Sequence, residues 1–232
     1  VVSRRKHPLG DLVQMSDAAA VLATYYRNNV LHLVALPSLV ACVFLGNSAM
    51  RREDIHRLAR RIYPYIASEL FLPWTEEELP AAIDIVLAAL GRHGLIESAA
   101  GGAEWRRPAP TSAEAMQLSL LAQSTLQTIE RYYLAISLLL KAGSGEITQS
   151  TLEERCHLMA QRMGLVYGFN SPDFFDRALF ERFIDLLRER GVVRSSASGQ
   201  LQFDEVLERV AEDAQLVLNE EIRHSILQVT HS

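Results

Sequence analysis

Seven histidines and two cysteines are the residues best suited to chemistry, and their spacing argues against most of it. His7, His32, His56, His93, His157, His224 and His231 form neither H-x-x-x-H nor H-E-x-x-H, and no Cys/His ligand cluster exists, so no metal site is expected. Cys42 and Cys156 lie far apart in apolar stretches and read as buried free thiols. Cys156 and His157 are sequence neighbours whose side chains diverge on a helix, which excludes a thiol–imidazole dyad. Gly143-Ser144-Gly145 lacks the lysine of a phosphate loop and the further glycine of a nucleotide fingerprint, and no G-x-S-x-G elbow occurs. No cofactor is expected.

Two polar groups remain. Tyr25-Tyr26-Arg27-Asn28-Asn29 places two amides and a guanidinium inside an otherwise apolar helix pattern. Buried polar side chains need partners, so these five residues are candidates for contact with another helix or domain. Arg51, Arg52, Arg57, Arg60 and Arg61 share a helix whose other face carries Ile55, Leu58, Ile62 and Ile66, with Trp74 just beyond. A basic amphipathic helix of this kind suits a membrane surface or an acidic neighbouring domain, although Glu53 and Asp54 dilute the charge.

The elements that must position these groups are mostly helical. Ser16 caps a helix that Pro37 should kink or break, and a second apolar piece from Ser38 to Leu45 ends at Gly46-Asn47-Ser48, where the next helix should begin. Pro64 should distort the end of that helix, and Thr75 should cap the one after it. Leu95 to Ser98 and Glu104 to Arg106 read as a hairpin about Gly101-Gly102. Thr111 or Ser112 starts a long helix that stops at Gly143, and Ser150 to Met163, Pro172 to Arg190 and Phe203 to Val229 read as three more. Ile83 to Ser98 aligns with Phe180 to Ser195 without gaps, each a helix, a glycine stop and a hairpin. The fold class expected is therefore mainly α, a helical bundle with two winged-helix-like units, each carrying a short hairpin.

Composition agrees with a globular chain. In 232 residues, hydrophobic side chains make up 49% and the net charge is -5, so no general excess of positive charge draws in nucleic acid. Val30 to Leu45 carries His32 and Pro37 and is shorter than the roughly 20 residues of a membrane span. Without an initiator methionine or a signal-peptide core after Arg4-Arg5-Lys6-His7, the chain reads as part of something longer.

The string Tyr25 to Leu33, continuing Ala35-Leu36-Pro37-Ser38-Leu39-Val40-Ala41, resembles the region after the catalytic domain of bacterial membrane-bound glycerol-3-phosphate acyltransferases. Phe71-Leu72-Pro73-Trp74, Glu76-Glu77-Glu78-Leu79 and Asn219 to Leu227 are similar to the C-terminal portion of the same family. The resemblance implies acylation of the first hydroxyl of glycerol 3-phosphate from acyl-carrier protein or acyl-coenzyme A, at the cytoplasmic face of the bacterial inner membrane. The family's H-x-x-x-x-D motif, a general-base histidine with an orienting carboxylate, is absent. His7 and Asp11 have one residue too few between them.

The resulting expectation is a supporting segment, catalytically inactive alone. Residues 1–15 would lead from an upstream catalytic acyltransferase domain, and residues 16–232 would form a helical domain of two repeats, about 16–110 and 111–232. Its partners would be that upstream domain and a peripheral membrane contact, with no nucleic acid. The alternative is a tandem winged-helix DNA-binding regulator or an adaptor, but its candidate reading helices mix Asp84, Arg92 and His93 in one and acids with arginines in the other, not a basic stripe.

Overall fold

A computed structural model describes residues 2–8, 10–167, 172–218 and 220–231. An exposed antiparallel hairpin opens the chain, β1 (Val2–Arg5) pairing with β2 (Leu12–Met15). Ser16 then caps α1 (Asp17–Val43), its hydroxyl accepting from the Ala19 amide. Contrary to the expected break, α1 runs through Pro37. A proline inside a helix costs about 3 kcal/mol, and tertiary contact offsets it: Leu36, Leu39 and Val40 are fully buried beside the proline.

Where a helix cap was expected at Ser48, the chain forms the short strand β3 (Ala49–Arg51) before α2 (Arg52–Leu70), which likewise continues past Pro64. Thr75 does form a capping box, its amide and hydroxyl donating to the Glu78 carboxylate while the Glu78 amide donates back to Thr75 Oγ1. It sits one turn early, because α3 starts at Leu79 (Leu79–Arg92). The expected hairpin is present as β4 (Glu97–Ala99) and β5 (Glu104–Arg106), with β3 as a third strand in the order β3-β5-β4. Gly91 lies close under β5, since a Cβ there would meet the Trp105 ring at 3.0 Å and push it aside slightly.

Ser112 caps α4 (Ala113–Ala142), whose residues from Thr128 to Leu139 are buried on every side, the signature of a central helix. Around it come α5 (Gln149–Tyr167), a 3-10 turn (Pro172–Phe175), α6 (Arg177–Glu189) and the hairpin β6 (Val193–Ser195) with β7 (Leu201–Phe203). The single last helix expected is two, α7 (Glu205–Val217) and α8 (Glu220–His231), because Leu218 is extended. The expectation of a mainly α fold holds.

The elements recur in order. The 19 residues of α2 match the 19 of α5, Gly94 and Gly191 both stand at φ +70°, and β5 and β7 follow at the same spacing. The bridge Thr148↔Gln200 before α5 repeats the pairing of β3 before α2.

Candidate functional site

The Tyr25 to Asn29 string lies on the first half of α1. From Ala35 onward α1 is held against α4 and runs antiparallel to it: the Ser38 hydroxyl donates to the Ala122 carbonyl at 3.0 Å and lies 2.8 Å from Thr125 Oγ1, while Arg107 Nη1 donates to the Leu45 carbonyl at 3.2 Å. Before Leu31 most of the described side chains on the helix are exposed. Tyr25 and Tyr26 are 63% and 61% exposed and meet edge to face, and Arg27 reaches Asp173 at 3.5 Å. The side chain of Asn28 lies outside the described residues.

Arg27, Asn29 and His32 line a cavity of about 600 Å³ closed on the other side by Gln127, Thr128 and Arg131 of α4, Glu69 and Phe71 at the end of α2, and Asp173 and Asp176. Arg131 forms its floor. This guanidinium is 2% exposed; Nη2 donates to both Glu69 oxygens at 2.6 Å and Nη1 to the Asp173 carbonyl at 3.0 Å. The Tyr132 hydroxyl donates to the same Glu69 carboxylate at 2.8 Å, and burial pushes that phenol well above its ordinary range. Two guanidinium groups, Arg27 and Arg131, face three carboxylates, Glu69, Asp173 and Asp176, with Arg27 paired to Asp173 and Arg131 to Glu69.

The arginine group on α2 is largely tied into the fold. Arg52 pairs with Asp84 of α3, Arg57 with Asp54 and, at 2.8 Å, with Asp213 of α7, Arg61 with Asp213, and Arg51 with Glu53 and Asp54. Arg60 is exposed. Trp74 is half-buried against the core, its amide donating to the Tyr63 hydroxyl and its carbonyl accepting from it. Near the end of α2 it is Phe71 that faces solvent, 80% exposed at φ +53° with the Arg182 guanidinium 5.3 Å from its ring.

The histidines are scattered, and His56, His157 and His224 hydrogen-bond to groups of the fold. His157 Nδ1 lies 2.6 Å from the Phe175 carbonyl, and His224 hydrogen-bonds Gln228 on its own helix. His56 Nε2 lies 2.8 Å from Asp84 Oδ1, the one place where a carboxylate orients an imidazole among the described contacts. Arg52 also holds that carboxylate and, with His56, keeps it below the ordinary carboxylate range. No group of three His, Cys, Asp or Glu that could hold a metal occurs among the described residues. Burial pushes the Cys42 thiol up to about 12 and Cys156 higher still, so neither is poised as a nucleophile.

Sequence reasoning passed over Glu130 and Arg131. Both sit in the middle of α4 at 1% and 2% exposure, and burial raises the Glu130 carboxyl to about 7, with Oε2 lacking a hydrogen-bond partner. The signal was available, since no other charged residue lies between Glu114 and Lys141.

Taken together, the described residues form a repeated helix-and-hairpin body with buried ion pairs and no assembled acyl-transfer centre. A family model described as the glycerol-3-phosphate acyltransferase C-terminal region matches residues 1–196, and the chain belongs to that family. It is 46% identical over 230 residues to a glycerol-3-phosphate acyltransferase of Pseudomonas paraeruginosa, 44% to one of Pseudomonas fluorescens and 42% to one of Pseudomonas putida. Each alignment covers 99% of this chain but only 27 to 28% of the relative, so the chain spans little more than a quarter of their length. No solved structure matches it. The DNA-binding alternative gains no support from these relatives. No helix among the described residues is long and apolar enough to cross a membrane.

Proposed function

We propose that this chain is the supporting C-terminal part of an enzyme that acylates the first hydroxyl of glycerol 3-phosphate from acyl-carrier protein or acyl-coenzyme A. In this reading catalysis belongs to the preceding polypeptide, and residues 16–232 form two repeated, winged-helix-like units, about 16–110 and 111–232. The observation that carries it is the coverage: the match fills the chain yet leaves nearly three quarters of each relative outside it. The missing H-x-x-x-x-D spacing fits a part without the general base.

The string Tyr25 to Asn29 then faces the catalytic part, and the residual exposed charge of the α2 arginines, Arg60 foremost, is the candidate for peripheral contact with the cytoplasmic face of the inner membrane. The test compares radiolabelled glycerol 3-phosphate acylation by residues 1–232 and by a polypeptide that joins them to the preceding part of the family. Turnover by the joined polypeptide alone is expected. Turnover by residues 1–232 alone would place the chemistry here.

A further inference from the structure

The recurrence of elements gives each position on α1 a counterpart 97 residues later on α4, the spacing that separates Arg52 from Gln149 and Gly94 from Gly191. Tyr25, His32 and Leu33 thus correspond to Ala122, Ile129 and Glu130. The three on α4 are 0 to 1% exposed, the first covered by α1 itself through Ser38 and Cys42. The three on α1 are exposed, Tyr25 at 63% and Leu33 at 67%. Leu22 and Val30 add 52% and 53% exposed apolar side chains to this half of α1.

Stacked repeats bury each unit against its neighbours, and a unit that ends the stack carries a polar outer face. The far end of this stack largely follows that rule: α7 packs on α4 and turns Glu205, Glu208, Arg209 and Glu212 outward, its exposed apolar residues Val206 and Leu216 reaching only 37% and 40%. The near end does not. Its outer helix presents leucine, valine and tyrosine to water, where polar side chains would be expected of an end.

We propose that residues 22–34 of α1 are the seat of an amphipathic helix from the polypeptide preceding this region in the acyltransferase, packed along α1 as α1 is packed along α4. The occupant is a segment of the same polypeptide because the relatives extend well beyond this region, whose family description places it C-terminal, and because the uncovered face lies on the helix nearest that side. The proposal rests on the supporting-region reading and adds the face and the kind of element that meet.

The experiment is amide hydrogen exchange on the joined polypeptide, read over residues 17–34, in the wild type and with Leu33→Glu. Ile85→Glu serves as control, since Ile85 is equally exposed, at 69%, but lies on α3. The seat is expected to exchange at least about tenfold more slowly than an uncovered helix, and Leu33→Glu alone should abolish that protection. Fast exchange of residues 17–34 in the wild type would overturn the proposal. So would protection that appears only with added phosphatidylglycerol vesicles, which would make the face a lipid contact, or only as protein concentration rises, which would make it a contact between copies. Acylation measured on the same sample separates the two readings. An inactive polypeptide sinks the supporting-region assignment whatever the exchange, whereas an active one with a freely exchanging α1 sinks the seat alone.

Discussion

Arg131 and Glu69 meet below the cavity with one guanidinium nitrogen 2.6 Å from each carboxylate oxygen, and the arginine is 2% exposed. The arginine charge is almost wholly removed from water while the Glu69 side chain keeps 16% exposure, so removing the carboxylate leaves a desolvated guanidinium at a cost of about 3–5 kcal/mol. Glu69→Ala should therefore destabilise the fold by several kcal/mol, with the lost Tyr132 hydrogen bond adding to it. Replacing both residues, Glu69→Leu with Arg131→Met, should cost less than Glu69→Ala alone. Urea unfolding of the three proteins checks the order.

Glu130 makes stability depend on pH. Its carboxyl titrates near 4.5 when exposed and near 7 when folded, because burial disfavours the charge. Between those values the folded state holds a proton that the unfolded state has released, so stability falls as pH rises from about 4.5 to about 7 and stays lower above it. The full loss is about 3 kcal/mol at 1.36 kcal/mol per unit. Glu130→Gln, neutral at every pH, should flatten this slope and be more stable than the wild type at pH 8. Equal unfolding midpoints for the two proteins at pH 8 would contradict it.

Asn29 lines the same cavity and is exposed, in the first half of α1. If its amide meets the preceding polypeptide, Asn29→Ala should remove about 1 kcal/mol from the joined protein and lower its melting temperature, by less than the roughly 2–4 °C that such a loss costs a domain of about 150–250 residues. The KM for glycerol 3-phosphate should not change. A large rise in KM with an unchanged melting curve would put Asn29 in the substrate site instead.

Local pattern made the helices and hairpins legible because amphipathic spacing and glycine stops act over a few residues. Gly94 and Gly191, both left-handed, were readable from the punctuation alone. Ala49-Met50-Arg51 was not, because nothing in three residues announces a strand whose partner, β5, lies some fifty positions on. Pro37 misled for a related reason: its local cost is real, but the burial of its neighbours against α4 is a tertiary fact. At the candidate sites, the arginines of α2 looked like a free basic face because their partners Asp84 and Asp213 come from distant helices. Tyr25 to Asn29 was legible as unusual, while the cavity that Arg27 and Asn29 share with Arg131 depends on the packing of four helices and a turn.

Asp213 gives the last prediction, because it decides how α7 is attached. Its side chain is 7% exposed and receives both Arg57 and Arg61 from α2, whose own side chains remain 42% and 44% exposed. Asp213→Asn keeps the shape but removes the charge that two guanidinium groups share, and hydrogen bonds to charged groups are worth about 1.5–3 kcal/mol. Both arginines can turn to water when the carboxylate is gone, so the loss should fall near the lower end of that range. Glu53→Gln is the comparison: its pair with Arg51 lies at the surface, with both side chains about 70% exposed, and should change stability by less than about 0.5 kcal/mol. Added salt should shrink the second effect further and leave most of the first, since screening reaches an exposed pair far better than a buried one. Chemical unfolding of both variants at low and high salt reads the difference, and equal losses would mean that Asp213 does not clasp α7 to α2.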